Sequence, residues 1–211
     1  MIASIIALLA SQLAAAHAAR DIGVFTSDDV PGYILDSGGI YRVGTQTLID
    51  ASGKIIGCRT EQPSAEPRLD SLTCAIILKR AKFDAPAHWT DGSSVPSLHR
   101  MTTTYAVNEG PAVKHGDIEL TVDQLPRGAG SQLSLDVIFA ADERGQISDC
   151  KEGYFTNVSR SKSAYPELVM IACEQVSKSW RAFTVLDAAG KPTKSVQNAT
   201  VVFKRSATSK R

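Results

Sequence analysis

Residues 50–58 read Asp50-Ala51-Ser52-Gly53-Lys54-Ile55-Ile56-Gly57-Cys58, and residues 142–150 read Asp142-Glu143-Arg144-Gly145-Gln146-Ile147-Ser148-Asp149-Cys150. The two stretches share Asp, Gly, Ile and Cys in register at a shift of 92 residues (142 − 50). Four shared positions are weak evidence alone. The flanking sequence therefore decides whether the chain contains an internal repeat.

The match continues on both sides of the shared stretch. Upstream, Phe25-Thr26-x-Asp28-x-Val30-Pro31 corresponds to Leu120-Thr121-x-Asp123-x-Leu125-Pro126 at a shift of 95 (120 − 25). Downstream, Ser64-x-x-Pro67 and Cys74 correspond to Ser163-x-x-Pro166 and Cys173 at a shift of 99 (163 − 64). Landmarks in the same order, with slowly changing shifts, indicate a duplication with small loop insertions. We expect two copies of one small domain, here called repeat 1 (residues 20–108) and repeat 2 (residues 117–205), followed by a basic tail (residues 206–211).

Each repeat has the same predicted plan of an arm, a hairpin, a helix and a last strand. In repeat 1, the alternation of apolar and polar residues predicts strands at 40–49, 54–58 and 98–107, with the Asp50–Gly53 turn between the first two. In repeat 2, the same alternation predicts strands at 133–141, 146–150 and 196–204. A proline suited to a first helical turn predicts one helix in each repeat, from Pro67 and from near Pro166.

Length and charge give limited guidance on function. The 211 residues accommodate one ordinary domain or two small ones, and the repeat favours two. A net charge of +1 gives no indication of a nucleic-acid partner or an anionic surface. Partner choice has to be argued from motifs instead.

The first 18 residues are apolar and end in Ala16-His17-Ala18, the small-x-small pattern of a signal-peptidase site. We expect residues 1–18 to be a signal peptide and the mature protein to begin near Ala19. The alternative is a retained membrane anchor, because the segment before the apolar run carries no Lys or Arg. The run is, however, shorter than the roughly 20 residues that a membrane span needs.

The four cysteines fall two in each repeat at matching places. In an exported chain this arrangement favours disulfides over thiol chemistry. Pairing Cys58 with Cys74 and Cys150 with Cys173 is the most economical of the three possible connectivities. A zinc site is the competing interpretation, but the chain has no C-x-x-C motif and its histidines are not grouped with its cysteines.

Repeat 1 resembles a known protein family in five segments. They are Phe25-Thr26-Ser27-Asp28-Asp29-Val30-Pro31, Asp50-x-x-Gly53-x-Ile55-x-x-Cys58, Leu69-Asp70-x-x-Thr73-Cys74, Arg80-Ala81-Lys82-Phe83-x-x-Pro86-Ala87 and Asp91-Gly92. Together they resemble the C-terminal domain of TonB-type energy transducers, in its disulfide-bearing variety. Repeat 2 matches less closely, since it lacks the Leu-Asp pair and the Phe-x-x-Pro-Ala element.

The resemblance implies an α+β fold, with two tandem small domains that each have a short antiparallel β-sheet and a helix packed on one face. It implies a non-catalytic periplasmic module that binds an envelope protein, possibly a TonB-dependent outer-membrane transporter, by adding an extended segment to a sheet edge. The expected edges are the last strands of the repeats. The candidate binding residues are Thr102, Thr103, Thr104 and Tyr105 in repeat 1, and Thr200, Val201, Val202 and Phe203 in repeat 2.

Three alternatives differ in function. A membrane-anchored energy transducer would keep residues 1–18, but the long Pro-rich spacer typical of the family is absent. An exported structural or inhibitory protein would use the loop between Cys150 and Ser163, which is longer than its counterpart in repeat 1. An enzyme is disfavoured, because His88, His99 and His115 belong to no catalytic motif, and Asp50 and Asp142 sit where turns favour Asp. We therefore expect no catalytic, cofactor-binding or metal-binding residues, and neither nucleic acid nor a small-molecule substrate as partner.

Overall fold

Both copies of the repeated stretch fold into the same turn. In the computed structural model, Asp50 N–H donates to Lys54 O over 2.9 Å and Asp142 N–H donates to Gln146 O over 3.0 Å. The glycine three residues after each aspartate takes a positive φ, which glycine adopts without steric cost. The two predicted hairpin turns are confirmed.

The structure describes residues 17–18, 24–106, 116–153 and 165–206. Its elements, in chain order, are β1 (His17–Ala18), a 3-10 turn (Ser27–Asp29), α1 (Gly32–Ser37), β2 (Ile40–Ile49), β3 (Ile55–Gln62), α2 (Pro67–Arg80), β4 (Phe83–Ala85), β5 (Ala87–His88), β6 (Ser94–Val95), β7 (Ser97–Ala106), β8 (Ile118–Val122), β9 (Gln132–Ala141), β10 (Ile147–Glu152), α3 (Pro166–Ser179), β11 (Val185–Leu186), β12 (Pro192–Thr193) and β13 (Ser195–Arg205).

Seven strands from both repeats form one sheet in the order β10-β9-β13-β7-β2-β3, with β8 also paired to β13. Each repeat contributes a hairpin and a last strand that pairs with the first strand of that hairpin, giving β3-β2-β7 and β10-β9-β13. Strands with helices attached beside them define an α+β protein. The predicted fold class is confirmed at that level.

The last strands of the two repeats lie side by side at the centre of the sheet. β7 and β13 pair in parallel, with Val196 opposite Ser97 and Gln197 opposite Leu98. This contact makes the two sheets continuous. The predicted boundary between the repeats falls largely on residues 107–115, outside the described residues, and the division into two domains stays a prediction.

One face of the sheet carries α2. Ile49 pairs with Ser97, and Ser97 pairs with Val196, so these side chains point to the same side. Val43 points to that side too, since it lies six residues before Ile49 on a regular strand. It packs there with Leu69 of α2 in a buried cluster.

The opposite face carries α3. Phe139 pairs with Gln197, the residue after Val196, and therefore points away from α2. Phe139 and Phe203 pack with Val176 of α3 in a buried cluster of repeat 2. The repeats are thus related by a rotation about the strand direction, which keeps β7 and β13 parallel and exchanges the two faces of the sheet.

A disulfide joins the hairpin to the helix in each repeat. Cys58 on β3 bonds Cys74 on α2, and Cys150 on β10 bonds Cys173 on α3. The predicted connectivity is confirmed. Each bridge joins an outer strand of the sheet to a helix that packs on that strand's face.

Near the N-terminus, β1 pairs with β4. Residues 1–16 lie outside the described residues, and cleavage after Ala18 would remove β1. Within the described ranges, no helix is long and apolar enough to cross a bilayer. The disulfides and this finding are compatible with an exported protein.

Replacing both cysteines of a bridge with alanine should lower the free energy of unfolding by about 3 kcal/mol, because the bridge restricts the unfolded chain. The bridges span 16 and 23 residues, so the two double variants should lose similar amounts. Urea unfolding of Cys58→Ala/Cys74→Ala and Cys150→Ala/Cys173→Ala measures this loss. An unchanged urea midpoint in either variant would show that its bridge does not stabilise the fold.

Candidate functional site

A fork at the centre of the sheet is the most unusual feature of the topology. β7 and β13 pair only over two residues at their N-terminal ends. Beyond that point β13 pairs instead with β8, in parallel, over Val201 to Arg205. We call this point of separation the fork.

The side chain of Asn198 closes the base of the fork. Its Oδ1 accepts from the Arg100 N–H over 2.8 Å, and its Nδ2 donates to Arg100 O over 3.1 Å. A side-chain amide thus takes the place of a strand partner for one residue of β7. Past Arg100, the structure gives β7 no strand partner on this side within the described ranges.

The bonds of Arg100 show which backbone groups of β7 point toward the fork. In an antiparallel pair, residues alternate between those bonded to the partner strand and those whose N–H and C=O point away. Arg100 points away from β2, and so Thr102, Thr104 and Ala106 do as well. These three residues are exposed. We call residues 102–106 the β7 edge.

The candidate residues of repeat 1 therefore divide into two pairs. Thr102 and Thr104 direct both their backbone groups to the β7 edge. Thr103 and Tyr105 direct theirs to β2, and the Tyr105 side chain is buried, with its hydroxyl 2.9 Å from Thr73 Oγ1. Within the described ranges, β7 thus has an unpaired side past Arg100, and only alternate residues face it.

The prediction that the last strand of repeat 2 forms a sheet edge is wrong. Val201, Val202 and Phe203 pair with β9 on one side and β8 on the other. Thr200 pairs with β9, and Asp117 engages both of its backbone groups on the opposite side. These four residues lie inside the sheet because β8 occupies the side of β13 that was expected to be free.

Arg100 holds the two repeats together at the fork. Its Nε and Nη2 donate to the two carboxylate oxygens of Glu61 on β3 over 2.8 and 2.7 Å. Its Nη1 lies 2.6 Å from Asp117 Oδ2 of repeat 2, off the direction of its N–H bonds, which makes that contact an ion pair rather than a hydrogen bond. The guanidinium also lies 4.7 Å from the ring centre of Trp180. Only 7% of the Arg100 side chain is exposed, so the cluster is screened from water.

A third carboxylate, that of Asp136, lies close to this cluster. Thr200 Oγ1 donates to Asp136 Oδ1 over 2.5 Å. Burial raises the pKa of the Asp136 carboxyl, the hydrogen bond from Thr200 acts against that rise, and the charge of Asp117 adds to it. The fork thus brings three carboxylates together: Glu61 and Asp117 contact Arg100, and Asp136 lies beside Asp117 and Thr200.

A small cleft of about 40 Å³ opens at the fork between Arg100, Thr102, Gly116, Asp117 and Thr200. Gly116 is required there, because a Cβ atom would lie 2.7 Å from Val202 Cγ2 and 3.0 Å from two backbone oxygens. The cleft has room for about one water molecule or one small polar group.

The described groups considered for catalysis either lie in turns or are buried in the sheet. His88 Nδ1 lies 3.2 Å from Gly92 O in a turn, and burial lowers the pKa of His99 to about 4. Asp50 and Asp142 each accept backbone N–H groups of their own turns. His115 lies outside the described residues. In the part of the chain that the structure describes, no three His, Cys, Asp or Glu residues are grouped to hold a metal ion.

Sequence reasoning predicted the two outer strands but not their place at the edges of the sheet, and it missed the Arg100 cluster. The sheet ends at β3 and β10, the disulfide-bearing strands, rather than at the last strand of each repeat. Trp180 of repeat 2 lies over the Arg100 guanidinium of repeat 1. Asn198 and Arg100 occupy equivalent positions in the two repeats, at a shift of 98 (198 − 100), which is a signal that could have indicated their contact. The long loop before Ser163 falls mostly on residues 154–164, outside the described residues.

No family model, no curated protein and no solved structure matches this chain.

Replacing Arg100 with methionine should lower the free energy of unfolding by about 3 kcal/mol, because Glu61 and Asp117 would keep their charges with no cation between them. Lys178→Met is the control. Lys178 pairs with Glu174 on the surface of α3, where both side chains are about two-thirds exposed (66% and 65%), and its loss should change stability by less than about 1 kcal/mol. Urea unfolding compares the two. Equal losses would show that the Arg100 cluster does not hold the repeats together.

Proposed function

We propose that this protein is a non-catalytic, TonB C-terminal-like binding module that accepts an extended segment of another envelope protein as an added strand on the β7 edge. One observation carries this proposal. The backbone N–H and C=O groups of Thr102 and Thr104 point away from β2, toward the β7 edge. An added strand forms its main-chain hydrogen bonds to such groups and needs little side-chain chemistry.

The regularity of β7 favours this edge over the outer strands. β7 pairs with β2 without interruption from Ser97 to Ala106. β3 has two register shifts, at Glu61 and Ile56, and β10 has one at Asp149, which takes a positive φ of 44°. Bulges twist a strand and interrupt its hydrogen-bonding row, and proteins use them to protect edges from unwanted pairing. The outer strands are protected in this way, and the β7 edge is not.

The base of the fork fixes where an added strand would end. Asn198 already occupies the backbone groups of Arg100, so pairing is available from Thr102 onward. A strand bonded to Thr102, Thr104 and Ala106 spans about five residues, the length of an ordinary short strand. The cleft beside Thr102 would receive one small polar group of the bound segment.

The origin by duplication and the location belong to the same proposal. Each repeat has its own disulfide and its own buried cluster, which supports two tandem copies of one small domain. The expected signal peptide and the disulfides support a periplasmic protein, and a TonB-dependent outer-membrane transporter is the proposed partner. A membrane-anchored form is the second candidate. The two are distinguished by whether the native protein retains residues 1–18.

Replacing Thr104 with proline should weaken peptide binding at least tenfold, because proline removes the central donor of the β7 edge. The Thr104 N–H faces away from β2, so the sheet itself should stay paired. Binding would be measured by calorimetry with synthetic peptides that cover the periplasmic N-terminal segments of outer-membrane transporters.

Thr104→Val is the matched control, since it keeps the N–H and the branched shape of the side chain, and its affinity should stay within about twofold of the wild type. Thr103→Pro is unsuitable, because the Thr103 N–H points to β2 and its loss would disrupt the sheet. Equal binding by the proline and valine variants would exclude the β7 edge as the binding site.

A further inference from the structure

The short hairpins β5–β6 and β11–β12 are equivalent parts of the two repeats. Trp89 N–H donates to Ser93 O and Asp187 N–H donates to Lys191 O, both over 2.8 Å, at an offset of 98 residues (187 − 89). Each hairpin lies on the same sheet face as the helix of its own repeat and extends over strands of the other repeat. The two hairpins therefore cover equivalent areas on opposite faces.

The area under β5–β6 is filled. Ala87 and Val95 pack there with Ile138, Ala140 and Val196 in a buried cluster. Two aromatic side chains, Phe83 and Trp89, complete the packing from the side.

The area under β11–β12 is open. A cavity of about 320 Å³ lies between residues 183–186 and the sheet, and its apolar wall includes Leu48, Leu98, Phe183 and Val185. At the offset of 98, the residues that correspond to Phe83 and Trp89 are Arg181 and Asp187. Both are exposed, so neither fills the space that the aromatic rings fill on the other face.

The floor of the cavity has an unsatisfied polar group. Gln46 stands where the filled side has Ile138, at the shift of 92 that relates the hairpins of the two repeats. The residue is only 2% exposed, and its Oε1 accepts from Arg59 Nε over 2.7 Å. That bond fixes the orientation of the amide, because only the oxygen can accept. Gln46 Nε2 is a buried donor with no hydrogen-bond partner in the described part of the chain.

Arg59 gives the cavity a positive charge at its rim. The residue is exposed and lines the cavity, and within the described ranges it forms no ion pair. An apolar wall, one buried amide donor and one guanidinium together suit a ligand with an apolar body and a carboxylate head. At about 30 Å³ for each water-sized group, the volume holds on the order of ten non-hydrogen atoms.

The wall opposite the sheet is held in place without a ligand. Gln197 Oε1 accepts from the Phe183 N–H over 2.9 Å, and Gln197 Nε2 donates to Phe183 O over 2.6 Å. The N–H and the C=O of Phe183 are thus both bonded to Gln197, which fixes the start of this segment over the sheet. The cavity is pre-formed, which reduces the entropy cost of binding.

We propose that this cavity is a binding site for a small amphipathic carboxylate, with the carboxylate on Gln46 Nε2 and Arg59 and the apolar body against Leu48, Leu98 and Val185. The site is separate from the β7 edge and does not depend on the function proposed for that edge.

Octanoate, which has ten non-hydrogen atoms, is the probe. Titration into the uniformly 15N-labelled full-length protein should give saturable NMR shifts of the Gln46 side-chain amide and of backbone amides 183–186. The expected Kd is on the order of 1 mM. Octanol should bind about tenfold more weakly, because it has no charge to pair with Arg59.

Two variants test the two halves of the site. Gly57→Leu should abolish the shifts by filling the cavity; a Cβ at Gly57 meets only Leu48 Cβ, at an ordinary 3.9 Å, so the backbone tolerates it. Arg59→Gln should weaken octanoate about tenfold and leave octanol unchanged. Arg181→Gln, an exposed arginine close by, is the control and should change neither affinity.

Three results would overturn the proposal. The first is the absence of saturable octanoate shifts up to 20-fold above about 1 mM. The second is octanoate binding that survives Gly57→Leu in a folded protein. The third is equal affinity for octanoate and octanol in the wild type, which would leave an apolar cavity with no carboxylate site.

Discussion

The contact between Arg100 and Asn198 is the constraint on which the rest of the sheet depends. These residues occupy equivalent positions in the two repeats, and they meet where the last strands run side by side. Asn198 bonds the backbone of Arg100, while the Arg100 side chain reaches Glu61 of its own repeat and Asp117 of the other. One residue pair therefore joins the repeats and ends the pairing between β7 and β13. Beyond that end point β13 pairs with β8, and β7 has no strand partner on that side within the described ranges.

The parts of the fold that could be predicted are those with local causes. The turns at Asp50 and Asp142 follow from an aspartate that accepts its own backbone N–H groups and a glycine with positive φ. The helices begin at the prolines expected to start them, Pro67 and Pro166. The disulfides follow from a pair of cysteines placed alike in each repeat. In each case the residues that determine the feature are close in sequence. The widest separation is the 23 residues between Cys150 and Cys173.

The joining of the repeats could not be predicted in the same way, because strands far apart in sequence pair without a local signal. A clue was present in repeat 2. Val201, Val202 and Phe203 form an uninterrupted apolar run, and all three are buried, which is typical of a strand enclosed in a sheet. The Thr-rich stretch of β7 instead alternates between exposed and covered residues. Comparing these two patterns would have distinguished the enclosed strand from the one that keeps an edge.

The proposed duplication accounts for both the regularity of the protein and its differences. The two repeats keep the turns, the bridges and the helix positions, and they differ where one copy can change without loss to the other. One hairpin packs Phe83 and Trp89 against the sheet, while the other leaves a cavity above Gln46. One last strand is enclosed, and the other presents an edge. In the proposed duplication, the shared elements keep the scaffold stable, and the positions that differ carry the two proposed binding sites.

Amide hydrogen exchange along β7, followed by NMR in the free protein, tests the central claim most directly. A free β7 edge predicts slow exchange at Arg100, Met101 and Thr103, whose N–H groups are bonded to Asn198 or directed to β2, and exchange near the unprotected rate at Thr102 and Thr104. Slow exchange at all five amides would mean that another part of the chain already covers the edge, and the account of this protein as a strand-accepting module would be contradicted.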